Sequence, residues 1–297
     1  TIAAGVIHLT NRVIVASSQL KEMLDFSNHN YYNWRFGKIY YTKKGKGSPL
    51  LLIHDTMPGA SGYEWSRVED QLAQEHTVYT LDLLGCGRSE KAGITYTNFL
   101  FVQIICDFIK NVIKEKTDII ASGFSCSFVT TAAAYDKESI NKIMFINPER
   151  MISLAQTTTK KDKLFKFFIE LPIFGTFIYH IIVSRETIND FFLDNLYYNP
   201  FHVDKDVLDA YYEAAHKGGY YAKCLYSSQS AKYMNINIRH ALSTLDNSIY
   251  IVEGETEPNG KAVTDDYCAS NPAIDVSVLK ETKHLPHVEA PEAFLEQ

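Results

Sequence analysis

The chain has 297 residues, 46% hydrophobic and 22% charged, proportions that fit a soluble globular fold of one large domain or of a core carrying an insertion. A net charge of −6 with no basic run excludes nucleic acid as the main partner, because a phosphate-binding surface needs an excess of Lys and Arg. Five cysteines, an odd number without a Cys-x-x-Cys pair, argue against a disulfide framework or a zinc site, and a cytoplasmic setting is expected.

Residues 1–16 are apolar but interrupted by His8, Asn11 and Arg12, too short to span a bilayer. They read either as a helix packed on the domain surface or as the tail of a longer anchor or signal segment, and a helix is expected over 10–28. Aromatic runs around Phe36-Gly37-Lys38 predict a hairpin over 31–42. The continuous apolar run 49–54 predicts a strand buried on both faces of a parallel sheet. A helix over 63–75, a strand over 77–82, a Gly-rich loop over 85–89 and a helix over 97–115 follow. Strands at 117–122, 142–147, 248–253 and 274–279 alternate with helices near 128–135, 259–270 and 291–297. That alternation predicts an α/β fold with a mostly parallel sheet covered on both sides.

Between 151 and 245 the pattern is helical only. This third of the chain holds eight Phe and nine Tyr of the 36 in total, which predicts an inserted helical cap supplying an apolar or aromatic pocket above the strand C-termini. Residues 171–183 are the most apolar stretch and read as cap core or as a membrane-surface contact. The expected organisation is an N-terminal helical extension over 1–29, a core over 30–150 and 246–297, and a cap over 151–245.

The motif that organises these elements is Gly123-Phe124-Ser125-Cys126-Ser127, between an apolar strand and a small-residue helix. A serine on such a turn is an exposed nucleophile if a base takes its proton. Ser127 stands where the Gly-x-Ser-x-Gly pattern has glycine, which adds a side chain where helix and strand approach.

With this motif, three further landmarks in order, His54-Asp55-Thr56, the loop from Asp82 to Ser89 and the stretch His284-Leu285-Pro286-His287-Val288-Glu289-Ala290-Pro291-Glu292, make the chain resemble the α/β-hydrolase superfamily. It is most similar to capped serine hydrolases and esterases. The resemblance implies an α/β-hydrolase fold, Ser125 as nucleophile, His284 as base with His287 structural, and Glu257 as the acid that orients the base. Glu149, after the strand at 142–147, is the alternative acid. The oxyanion hole is expected from the backbone N–H groups of Thr56 and Cys126, with Asp55 replacing the usual glycine beside it. A serine at the elbow argues against the dehalogenase and epoxide-hydrolase chemistry that the superfamily performs with an aspartate. The expected function is therefore a carboxylesterase for a small apolar or aromatic ester, with no metal or organic cofactor. The alternatives are a lipid or carbon–carbon bond hydrolase, and a catalytically weak member of the fold that binds a ligand or partner.

Overall fold

The computed structural model describes residues 2–24 and 30–297. It opens with α1 (Ile2–Ser18), so the N-terminal helix starts and ends earlier than expected, and residues 25–29 of the expected helix lie outside the described residues. The hairpin β1 (Asn30–Trp34) and β2 (Gly37–Lys44) turns at Arg35 and Phe36, one residue before the expected point. Trp34 pairs with Gly37, whose φ of +150° suits glycine alone.

β3 (Ser48–Ile53) and β4 (His76–Leu81) bring the two apolar runs side by side in parallel. The helix expected over 63–75 is two short pieces, a 3₁₀ turn at Gly62–Trp65 and α2 (Glu69–Leu72). α3 (Asn98–Phe108) is capped by the Thr97 hydroxyl and continues as a π-helical turn to Ile113. β5 (Thr117–Ser122) leads to α4 (Ser125–Tyr135), and β6 (Ile140–Ile146) follows.

Helices only occupy the next segment: α5 (Met151–Leu154), α6 (Lys160–Glu170), α7 (Phe174–Ile182), α8 (Arg185–Phe191), α9 (Lys205–His216), α10 (Lys223–Ser230) and α11 (Arg239–Ser243). These form the inserted cap. β7 (Ile249–Gly254), α12 (Gly260–Ser270), β8 (Ile274–Leu279), α13 (Pro286–Glu289) and α14 (Pro291–Leu295) complete the core.

Among the described residues eight strands form one sheet in the order β1-β2-β4-β3-β5-β6-β7-β8, in which the β1–β2 and β2–β4 pairings are antiparallel and every pairing from β4 to β8 is parallel. Parallel strands need covered faces. One face packs against α3, α4 and α12 through Phe101, Phe128 and Tyr267, and the other against Trp65, Val68 and Phe294. A separate cluster around Tyr179, Phe192 and Tyr211 joins the cap helices to the loop after β3. Because the parallel strands point the same way, the loops after β3, β5, β6, β7 and β8 converge at one edge, where open α/β sheets bind their ligands.

Candidate active site

The turn between β5 and α4 decides which residue the elbow presents. Gly123 follows β5 directly and takes a φ of +54°, a conformation that costs a residue with a side chain about 1–2 kcal/mol. Phe124 already has helical angles and caps α4, and Ser125 is the helix's first residue. The apex is therefore Gly123, two residues before the serine that the motif singles out. Ser125 is fully buried, and its Oγ donates to the His54 carbonyl at 2.6 Å. The structure does not bring Ser125 against His284, whose ring nitrogens both face carboxylates. The physical reason is the register of the turn: the residue that needs φ > 0 sits at the apex, and in this chain that residue is a glycine.

The space an elbow side chain would fill is taken by Asp55, from the loop after β3. A Cβ built on Gly123 would lie 2.3 Å from the Asp55 carboxyl carbon. Asp55 Oδ1 accepts from the backbone N–H of Phe124 at 2.9 Å and of Thr56 at 2.6 Å. Two backbone donors converging on one oxygen are the geometry of an oxyanion hole. Thr56 N–H, one of the two expected donors, is thus one of the pair on Oδ1, while the N–H of Cys126, the other expected donor, bonds back to the Gly123 carbonyl.

Asp55 Oδ2 lies 3.4 Å from His284 Nε2, and His284 Nδ1 lies 3.1 Å from Glu257 Oε1. The half-buried imidazole is thus held between two carboxylates. Burial alone would favour its neutral form, but the hydrogen bonds and charges of Asp55 and Glu257 outweigh that and push its pKa up to about 10. Glu257 N–H closes a turn onto the Gly254 carbonyl, which aims its side chain back across the strand ends. Asn147, at φ +41° after β6, ties the loops together. Its Nδ2 donates to the carbonyls of Lys283 and His284, and its Oδ1 accepts from Gly254 N–H. Glu149, the alternative acid, lines the same cavity without bonding to His284; burial pushes its carboxyl upward, towards the protonated form.

Beside this pair lies a cavity of about 160 Å³ bordered by Asp55, Phe124, Glu149, Arg150, Gln229 and His284. Of the cap helices, only α10 reaches it among the described residues, through Gln229. Phe124 is the cavity's aromatic wall; among the described residues no cap aromatic lines it, since those pack on one another, as Phe192 does edge-on against Tyr211, or face solvent.

The other landmarks are scaffolding. Asp82 is fully buried and accepts from Gly62 N–H, Arg88 N–H and the Arg88 guanidinium. Burial would raise its carboxyl, yet Arg88 outweighs this and holds it at about 2. Ser127 does not displace the elbow; its Oγ accepts from Asn98 Nδ2 at 3.2 Å, joining α4 to α3. His287 is buried, stacks on Trp65 and lies 3.2 Å from Glu64 Oε1. Glu64 also accepts from Asp55 N–H, so this second carboxylate braces the Asp55 loop from beneath. Glu64, Asn147 and Phe124 escape sequence reasoning because their roles run through backbone groups and loop ends.

A largely parallel sheet flanked by helices, with a helical cap inserted after β6 and a histidine held by carboxylates at the strand ends, has the architecture of an α/β-hydrolase fold. The chain belongs to the alpha/beta hydrolase family, whose model matches residues 50–297. Among curated proteins it is similar to 2-hydroxy-6-oxo-6-(2'-aminophenyl)hexa-2,4-dienoic acid hydrolase of Metapseudomonas resinovorans, 28% identical over 114 residues, 38% of this chain and 39% of the relative. It is also similar to the soluble epoxide hydrolase of Corynebacterium sp. (strain C12), 29% identical over 109 residues, 37% of each. The chain thus matches under two fifths of the length of these relatives. Among solved structures, a serine hydrolase involved in carbazole degradation superposes with a TM-score of 0.75 at 17% identity, covering 91% of this chain and 96% of that one. A meta-cleavage product hydrolase from Pseudomonas fluorescens IP01 gives 0.72 at 17% identity, covering 90% and 94%. At that identity these two structures speak for the fold.

Proposed function

We propose that the chain is a hydrolase whose attacking group is the Asp55 carboxylate, with His284 as the base for water and Glu257 as its orienting acid. The observation that carries this reading is the seat of the Asp55 carboxylate: one oxygen on two backbone N–H groups, the other 3.4 Å from the imidazole. A carboxylate so placed attacks an electrophilic carbon through Oδ2, forming an alkyl ester as the bond to the leaving group breaks and that group leaves with the electron pair. Glu149, which lines the same cavity and whose carboxyl pKa is pushed up by burial, is the acid proposed to protonate it. Water then adds to the Asp55 carboxyl carbon as His284 takes its proton. Oδ1 becomes the oxyanion on the Phe124 and Thr56 N–H groups, and collapse expels the alkyl oxygen, which takes the proton back from His284 and leaves as an alcohol, restoring Asp55.

The charge of the histidine fits this order. Both carboxylates hold the imidazolium in the resting site; esterification removes the charge of Asp55, so the pKa of His284 falls and its proton passes to solvent before the imidazole acts as base. The cavity volume is close to that of an engineered apolar cavity of about 150 Å³ that accepts benzene, which leaves room in the recess for about one ring of a substrate. Arg150 and Gln229 favour one with a polar substituent.

The competing reading is an acyl-enzyme on Ser125 with the same His284 and Glu257, acting on a small apolar ester. Its support is the Gly-x-Ser motif and the resemblance to esterases, but Ser125 Oγ would have to leave the His54 carbonyl and reach an imidazole already paired on both sides. Small epoxides, alkyl halides and p-nitrophenyl esters, assayed on Asp55→Asn, Ser125→Ala and His284→Gln, separate the two. The carboxylate route requires Asp55→Asn to lose activity by at least about a thousandfold, Ser125→Ala to stay within about threefold, and His284→Gln to accumulate an adduct on Asp55. Loss of turnover in Ser125→Ala with Asp55→Asn still active would establish the acyl-enzyme instead.

A further inference from the structure

Three neighbouring helices carry apolar side chains that the fold leaves uncovered. α1 packs on α7 and α9, and α7 on α6. The inner side of α1 is marked by buried Asn11, whose Nδ2 donates to the Ile173 carbonyl, and by buried Ser18. Ile2, Val6, Leu9 and Val13 follow one another at spacings of four, three and four residues, and each is more than half exposed. That spacing makes one continuous stripe on the outside of the helix. α7 repeats the pattern with Phe174, Ile178 and Ile181, and α6 exposes Leu164, Phe167 and Phe168. Exposed apolar side chains gathered on three neighbouring helices mark an interaction surface.

The charges beside it select the occupant. The chain as a whole carries −6, yet α1 and α7 contain no acidic residue. The first turn of α6 presents Lys160, Lys161 and Lys163, all exposed, with no ion-pair partner among the described residues. Arg12 on α1 is likewise exposed and without one. Beside Arg12, α1 and α7 border a groove of about 770 Å³ that Val15, Ile173 and Tyr220 also line. Two buried polar groups on its wall, Asn11 Oδ1 and the His180 ring, have no hydrogen-bond partner. Among the described residues no single helix is long and apolar enough to cross a bilayer, and α6 and α7 meet at 103°. Short helices with phenylalanine and leucine outward and lysines beside them lie in the interfacial plane of a membrane.

We propose that α1, α6 and α7 form a docking face for the surface of an anionic lipid bilayer. The apolar stripes enter the headgroup–acyl boundary, and the lysines and Arg12 meet anionic headgroups. This inference is independent of the reaction proposed above.

The test is co-sedimentation of the chain with vesicles of phosphatidylcholine alone or with 30% phosphatidylglycerol (about 30 mol%, a typical anionic load). Binding is expected to the anionic vesicles and to weaken with salt. Val6→Asp with Leu9→Asp should abolish it, and Lys160→Glu with Lys161→Glu should weaken it by about fivefold or more per charge. All four positions are exposed, so circular dichroism and melting should stay at the parent values, which separates lost binding from lost folding. Failure of the folded parent chain to sediment with either vesicle overturns the proposal. So does a stable dimer by light scattering that Val6→Asp with Leu9→Asp dissociates while vesicle binding is absent, because the face would then belong to a second copy.

Discussion

Asp55 is one side chain with three neighbours that matter, and each contact is short enough to test. Its Oδ1 fills the hole formed by Phe124 and Thr56, and its Oδ2 faces His284. The imidazole between Asp55 and Glu257 is therefore expected to titrate far above an ordinary histidine, near 10. Because the folded pKa is raised, the contribution to stability is complete below the ordinary value of 6.5 and is lost as pH climbs through about 10. Imidazole NMR should show His284 still protonated at pH 8 in the parent chain, with a clearly lower midpoint in Asp55→Asn. An unchanged midpoint in that variant would mean that Asp55 does not hold the proton. At this scale the sequence was partly legible: Glu257 and His284 stand out from the strand ends and the Pro258 turn, and the structure brings them together. Asp55 stands out only as a departure from glycine, because nothing in a linear string says that its carboxylate reaches across to another loop.

The elbow is the element on which this depends. β5 and α4 were visible in the sequence as an apolar run and a small-residue helix, and they form where the pattern puts them. What the string does not reveal is which residue of the connection carries the left-handed φ, and a slip of two positions moves the apex from Ser125 to Gly123. Glycine serves two ends there, adopting φ +54° and leaving room for the Asp55 carboxylate. Gly123→Ala is expected to destabilise the fold by about 2 kcal/mol or more, from the strained φ and the collision with Asp55, and to remove activity. Chemical denaturation checks the first and turnover the second; a variant as stable and active as the parent would place the apex elsewhere. The helices are less legible than the strands for a related reason. The expected 63–75 helix breaks because Glu64 and Glu69 turn inward to bond the Asp55 loop and Thr80, and tertiary polar contacts of that kind have no periodic signature.

At the scale of the whole molecule, the alternation of strands and helices was enough to define the class, and the helical segment between β6 and β7 forms the inserted cap. The content of the cap is less legible: the cavity beside Asp55 has a mixed lining in which charged residues sit next to Phe124 and Val263, and much of the cap's aromatic surface serves packing or faces outward. Sheet, cap and loops together converge on one chemical question, namely whether Asp55 joins the reaction covalently. A single turnover in H₂¹⁸O, with enzyme in excess over a substrate found in the small epoxide or halide panel, answers it directly. Attack of water on the Asp55 carboxyl carbon leaves one heavy oxygen in that side chain, so the peptide containing Asp55 should gain about 2 Da while the released alcohol stays light. A light Asp55 peptide with the heavy oxygen in the product would contradict a carboxylate nucleophile.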